Sequence, residues 1–260
     1  MLNGGGCTDL GRTRPINEDG YYISDYNKEC EAIYAVVADG MGGHQAGEVA
    51  STMAICEIRD AVNERCFGGM TGSDIKDMLV TAVKKANRQI YQKSQEEQSL
   101  GGMGTTVTMC LIFDDKGFVA HVGDSRAYVL RGGQLHQITT DHSLVHELVK
   151  IGQITAEEAA HHPQKNVITR ALGTDSGVEI DLYEFTVLPG DLVLLCSDGL
   201  TNMLSDPELI EILTEKQSDS LTGLAEKLIA SANEKGGFDN ITAVLLAKES
   251  EFCGKDCDLA

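Results

Sequence analysis

The stretch at residues 33–48, IYAVVADGMGGHQAGE, constrains this chain most. An apolar, valine-containing run at 33–38 is bounded by glycine and so reads as a buried β-strand. It ends abruptly in Asp39, followed by Gly40, Gly42 and Gly43 and then a helix-like segment. A carboxylate at the tip of a buried strand is held rigidly, and bare glycines let backbone carbonyls and N–H groups come close to a ligand. The design recurs at 191–197, DLVLLCS, which delivers Asp198-Gly199. A third acid, Asp239 in GGFDN, stands just before the apolar run 241–247. Taken singly, each Asp reads equally well as a turn former. Together they suggest one shared cluster.

The charge balance supports a cation-binding reading. With 21 Lys and Arg against 40 Asp and Glu the net charge is −19, which argues against general binding to nucleic acid or anionic membranes. It leaves many oxygen ligands for divalent metals. In 260 residues, 42% of them apolar, there is material for a sizeable core. No apolar run approaches the roughly 18 residues of a membrane span, and the N-terminus lacks a basic region followed by an apolar one; a cytoplasmic location is expected. Eight cysteines are scattered without zinc-ribbon spacing, and several sit in apolar runs as small hydrophobes. Cys253 and Cys257 fall in an acidic tail, 251–260, where unstructured thiols are the favoured reading.

Along the chain, residues 1–10 contain Asn3-Gly-Gly-Gly and are expected to form turns and to be partly mobile. Residues 11–20, GRTRPINEDG, put Arg14, Asn17, Glu18 and Asp19 just before a strand-like YYISDY. That cluster is either a solvated turn, or a guanidinium fork for phosphate with acids facing metal-bound water. Helices are expected at 46–66 and at 73–91, the second capped by Ser73. From 104 to 139 the period becomes extended: TTVTMCLIF, GFVAHVGDSRAYVLR and QLHQIT read as consecutive antiparallel strands. Asp124 interrupts the second of these, at a bulge or strand edge.

Residues 141–173 leave the sheet pattern. Short helices are expected at 142–152 and 155–161, the second with a Thr155/Glu158 capping box. Four of the seven histidines lie there, but with no close Cys or carboxylate set a small subdomain over the active face is favoured over a zinc site. Strands at 181–187 and 191–197, two helices and a last strand at 241–247 complete the chain. Ser205-Asp-Pro-Glu208 caps the first of those helices, and Leu221, Leu224, Ala225, Leu228 and Ile229 stripe the second. Helix pairs among hairpin-linked strands imply sheets covered on their outer faces.

If Asp39, Asp198 and Asp239 converge, with Asp124 and Glu18 or Asp19 nearby, such a cluster of like charges needs cations to neutralise it. All-oxygen ligation selects Mg²⁺ or Mn²⁺. A pair of such ions about 3.5–4 Å apart acidifies water and clamps the oxygens of an in-line displacement, which is hydrolytic phosphoryl chemistry. Arg14 is then expected to hold the phosphate oxygens and an acid such as His44 to protonate the leaving group.

At this point the motifs resemble the metal-dependent PPM, or type-2C, serine/threonine protein phosphatases, in particular the bacterial branch. The resemblance runs from about residue 8 to 247 through GRTRPINEDG, VVADGMGGHQAGE, GGMGTTVT, HVGDSRAY, TTDHSLV, NVITRALG, LLCSDGLTNML and GGFDNITAVLL. It implies an α+β fold, a four-layer α-β-β-α sandwich of two antiparallel sheets, as one domain over 1–250 with a flap subdomain at about 142–173. It implies two or three Mn²⁺ or Mg²⁺ ions, with Asp39 bridging two of them, Gly40 lending its carbonyl, and Asp198 and Asp239 completing a shell. Glu18 and Asp19 align with acids that contact metal-bound water, Asp19 also orienting the nucleophile. Arg14 aligns with the phosphate-binding arginine, and Asp124 with the position that joins Asp198 at a third, weaker ion. The chain departs from many eukaryotic members, which have His where Met41 stands; His44 is then the candidate acid, or only orients its loop.

The implied reaction is direct attack of water on phosphoserine or phosphothreonine in proteins, without a phosphoenzyme. The alternative is a catalytically silent member that binds phosphoproteins. A nucleotide-binding reading is weak, because GMGGH has neither the spacing nor the Lys of a P-loop. The partners implied are a serine/threonine kinase and its targets, and a monomer is expected.

Overall fold

Both faces of the central strands are buried, which explains why they read as unbroken apolar runs. In the strand at 33–41, Tyr34, Val36 and Ala38 belong to one hydrophobic cluster, while Ile33, Ala35 and Val37 belong to another. A strand with cores on both sides must lie inside a layered structure. The computed structural model describes residues 2–26, 32–43, 46–65, 67–160, 162–215 and 220–248. His44, the candidate acid, lies outside them, as do Cys253, Cys257 and the tail.

In chain order, β1 (Leu2–Asp9), β2 (Asp19–Ile23) and β3 (Ile33–Met41) precede α1 (Ala46–Asn63) and α2 (Gly72–Glu96). Five strands follow: β4 (Gly104–Thr105), β5 (Val107–Phe113), β6 (Lys116–Val122), β7 (Arg126–Arg131) and β8 (Gln134–Gln137). Then come α3 (Leu144–Lys150), α4 (Ala156–Ala160), β9 (Asp181–Thr186) and β10 (Leu192–Cys196). The last elements are α5 (Asp198–Thr201), α6 (Asp206–Thr214), α7 (Leu221–Glu234) and β11 (Ile241–Lys248).

One sheet has the order β1-β11-β10-β7-β8; the other runs β2-β3-β5-β6-β9, with β4 pairing the end of β3. Every pairing is antiparallel. One apolar cluster joins α1 and α2 to the second sheet, a second joins α6 and α7 to the first, and a third fills the space between the sheets. The fold is therefore the α+β four-layer sandwich, α-β-β-α.

Several local expectations are corrected. Residues 2–9 form β1, fully paired with β11 from Leu2↔Lys248 to Asp9↔Ile241. The glycines are there for close packing: a Cβ on Gly5 would run into the backbone of Thr222 and come within 2.7 Å of Leu221 Cβ at the start of α7. Helix α2 is capped by Thr71, not Ser73, because Thr71 and Asp74 exchange a reciprocal capping box. Helix α3 starts after Ser143, whose Oγ accepts the His146 N–H. The stretch 117–131 is not one strand: β6 and β7 belong to different sheets, and Gly123-Asp124-Ser125 is the corner between them. The Thr155/Glu158 and Ser205/Glu208 boxes form as expected.

Gly5→Ala is expected to destabilise the fold by about 1–3 kcal/mol through overpacking against α7. A Cβ on the exposed Gly177 meets nothing within 4 Å, so Gly177→Ala is expected to change stability by less than about 0.5 kcal/mol. Urea unfolding of the two variants beside the parent reads the contrast.

Candidate active site

Because the sheets are antiparallel, the ends of β3, β6 and β10 and the starts of β2 and β11 meet at one rim of the sandwich. Asp39 projects there from the end of β3, in register with Asp19 at the start of β2. Asp198 follows β10, Asp239 precedes β11, and Asp124 sits in the β6–β7 corner. Arg14, Glu18, Asp39, Gly40, Asp124, Asp198 and Asp239 line one cavity of 270 Å³. From the stretch after α4, Asn166 and Ile168 reach the same cavity. Of the expected site residues, Asp19 stands behind this wall, and the rest that are described line it.

The backbone carrying the acids is pinned by groups the sequence reading did not single out. The Asp39 N–H donates to Thr106 Oγ1 at 3.0 Å, and the Asp39 carbonyl accepts from Thr106 N–H at 2.8 Å and Thr105 Oγ1 at 2.9 Å. Asn240 holds the 10–18 loop: its Nδ2 donates to the carbonyls of Leu10 and Ile16, and its Oδ1 accepts the Glu18 N–H at 2.8 Å. Asp19 Oδ2 accepts from Ser197 Oγ and Thr242 Oγ1, both at 2.7 Å, which ties the second sheet to the first at the rim. Gly40 has no room for a side chain, since a Cβ would strike the Gly47 carbonyl. Asn240 was legible only as the neighbour of Asp239; no spacing signals partners more than 200 residues away.

Behind Asp124, His142 fixes the corner. Its N–H donates to the Gly123 carbonyl at 2.7 Å, and its Nδ1 accepts the Gly123 N–H at 3.0 Å, which leaves the ring proton on Nε2, 3.3 Å from Asp181 Oδ2. The His142 carbonyl accepts Thr169 N–H at 2.8 Å, so one residue joins the corner to the stretch that follows α4. Burial, helped by Arg170, lowers the His142 pKa. His121 beside it is pushed down to about 4, mainly by burial.

The carboxylates carry the opposite perturbation. Burial, then the neighbouring acids, raise Asp39 well above the usual range. Asp198 is raised to about 6 and Asp124 to about 8 by the same two causes. Asp19 reaches about 7, with burial the largest cause, opposed by the two hydroxyls and reinforced by Asp198 and Asp239. Glu18 is raised by burial, which outweighs the Gly47 N–H and Arg14. Three carboxylate oxygens, Glu18 Oε1, Asp19 Oδ1 and Asp124 Oδ1, are buried without a hydrogen-bond partner. Buried acceptors of this kind are costly unless a donor or cation meets them. Asp39 and Asp198 are close enough to share a hydrogen bond, yet among the described residues no three His, Cys, Asp or Glu side chains close into a compact ligand set. The donor set is all oxygen, around a small acidic cavity, and this suits a hard divalent cation such as Mg²⁺ or Mn²⁺.

Among the described residues lining the cavity, Arg14 is the one cation. Its Nη2 donates to Asp239 Oδ2 at 2.8 Å. Guanidinium carries five donors, so this contact leaves the fork with capacity for an anion entering the cavity.

The family model for protein phosphatase 2C matches residues 15–231. Over 249 residues the chain is 43% identical to the serine/threonine phosphatase stp of Listeria monocytogenes serotype 4b (strain F2365), covering 96% of this chain and 97% of that protein. The serine/threonine phosphatase of S. agalactiae superposes with a TM-score of 0.88 at 40% identity, over 96% of this chain and all of that one (100%). The catalytic domain of the serine/threonine protein phosphatase PstP, crystallised with two manganese ions, superposes at 0.82 with 37% identity, over 96% and 99% of the two chains.

The raised carboxylates predict a pH signature. Their folded pKa values, about 6 to about 8, lie above the roughly 4 of an unfolded Asp. The folded chain then binds more protons than the unfolded one across that window, so without cations stability falls as pH rises from about 4 to about 8. In chelator, the melting temperature is expected to drop between pH 5 and pH 8. Mn²⁺ should raise it more at pH 8, where it no longer competes with protons. A Mn²⁺ shift equal at both pH values would contradict this reading.

Proposed function

The chain belongs to the protein phosphatase 2C family, and on that premise we infer that it is a metal-dependent enzyme hydrolysing phosphoserine and phosphothreonine in proteins. The observation that carries this is the cavity lined by Glu18, Asp39, Asp124, Asp198 and Asp239 beside Arg14, with Glu18 Oε1 and Asp124 Oδ1 buried and without a hydrogen-bond partner. A silent phosphoprotein-binding member would gain nothing from keeping six acids there at such cost.

Asp39, Asp198 and Asp239, with the Gly40 carbonyl, Asp124 and Glu18, would hold two or three Mn²⁺ or Mg²⁺ ions. When bound, such ions neutralise the acids, lower the pKa of water to near neutrality and stabilise charge developing on phosphoryl oxygens. Arg14 binds and orients the phosphoryl group by its planar fork. Asp19, standing behind the wall with its Oδ2 fixed by two hydroxyls, helps to orient the attacking water. Asn166 and Ile168 of the flap help to exclude bulk water. His44 is the proposed donor to the leaving serine or threonine oxygen.

The substrates are phosphorylated proteins. A serine/threonine kinase and its targets are the proposed partners, acting on a monomer in the cytoplasm, with one catalytic domain spanning 1–250 and a flap at 142–173. Among the described residues no helix is long and apolar enough to cross a membrane.

Turnover of p-nitrophenyl phosphate is expected to vanish with chelator and return with Mn²⁺, whereas a silent member would show none. Asp39→Asn and Asp239→Asn should each cost more than about 100-fold in kcat/KM, since even outer-shell losses at metal sites cost about 10–100-fold. Near-parental rates in either variant at ordinary Mn²⁺ would contradict the assignment. Arg14→Ala is expected mainly to raise KM for a phosphopeptide; a fall confined to kcat would place its contribution in the transition state.

A further inference from the structure

A second and larger cavity, of 690 Å³, adjoins the acidic one. Arg14, Glu18 and Gly42 belong to the walls of both. The rest of its described wall comes from three segments: Pro15 and Ile16 of the loop before β2, Ala46 and Val49 at the start of α1, and Ser99 with Leu100 in the 3-10 turn after α2. Among the described residues, its lining carries no charge apart from the two shared side chains. That stands out in a chain with 61 charged residues in 260. The wall is also firm. Leu100 is only 9% exposed, and Val49 packs on the cluster beneath α1 and α2 while keeping part of its surface open. At the boundary Gly42 admits no side chain, because a Cβ would come within 2.9 Å of Ala46 Cβ.

Phosphate recognition at Arg14 is the same for every phosphorylated serine or threonine and cannot distinguish substrates. Selectivity must come from residues beside the phosphosite. In an extended peptide those residues lie about 3.3–3.6 Å further along per step. A phosphoryl group at Arg14 therefore brings the side chain one or two positions away to the mouth of this uncharged cavity. Resting on the phosphatase reading above, we propose that the cavity walled by Ile16, Val49, Ser99 and Leu100 is a specificity subsite for an apolar substrate side chain next to the phosphorylated residue. Leu, Met and Phe fit its volume and chemistry. Asp and Glu do not, because they would lose hydration against apolar walls and face Glu18. The gain is binding energy realised equally before and during reaction, so it appears in KM more than in kcat.

The test uses the Mn²⁺-loaded protein with phosphothreonine peptides that differ only at the two positions on each side, carrying Leu, Phe, Ala or Asp. We expect kcat/KM about tenfold higher for Leu or Phe than for Asp at one of those positions, within the range a hydrophobic pocket commands, and expressed in KM. Ser99→Trp, which fills the cavity from an exposed position, and Val49→Glu, which charges its wall, should each bring the Leu-to-Asp ratio close to one. Because the ratio is taken within one variant, general loss of activity cancels. Ratios within twofold for all peptides on the parent protein, or a preference that both variants leave intact, would overturn the subsite while p-nitrophenyl phosphate turnover leaves the phosphatase reading standing. Absence of turnover on every substrate would overturn the phosphatase reading itself, and the subsite with it.

Discussion

Mutual repulsion among carboxylates removed from water is the constraint around which this molecule is arranged. Asp19, Asp39, Asp124 and Asp198 are all pushed towards their protonated forms, first by burial and then by one another. Left to relax, such side chains would turn outwards to solvent. They do not, because each hangs from a strand end or sheet corner whose path is fixed by apolar packing elsewhere. The clusters between and outside the sheets thus supply the rigidity that keeps the acids together, and a divalent cation is the natural counterweight.

The transition from core to site is made by hydroxyls and amides. Between the sheets the contacts are aliphatic, through Val37, Val193, Leu195 and Val244. At the rim they give way to Thr8 and Thr242 at 2.7 Å, Asn17 on Thr8 at 3.0 Å, and the Ser197 and Thr242 hydroxyls on Asp19. This polar ladder holds the two sheets in register where apolar contacts end. It also fixes which oxygen of Asp19 stays free. On the far side, His142 and the bidentate Arg126–Asp141 pair set the Asp124 corner. A reaction that depends on placement to a fraction of an ångström draws on such supports as much as on the groups lining the cavity.

Strong excess negative charge and anionic substrates are reconciled by position. Arg14 lines both the acidic cavity and the larger one beside it, so a guanidinium stands among the carboxylates at their boundary. Its contact with Asp239 keeps the fork at that boundary.

Apolar runs bordered by acids were readable in the chain itself: 33–38, most of 191–197 and 241–247 became strands because both faces of each meet a core. The helix stripes and the Ser205 and Thr155 caps were equally local, since their partners lie within four residues. Local signals misled where the reason lay far away in sequence. Asn3-Gly-Gly-Gly looks like a turn, yet it is a strand because α7, more than 200 residues later, needs bare backbone to approach. The run around Asp124 looks continuous, yet it turns a corner between sheets. Thus the sequence determined which segments are strands and helices and which acids punctuate them, because hydrophobic periodicity and capping act over a few residues. Only the tertiary structure decided that those acids share one cavity, that Asn240, Ser197, Thr242 and His142 hold it, and that an uncharged hollow lies beside Arg14. Those relations join residues tens to hundreds of positions apart, and it is packing of the layers that brings them together.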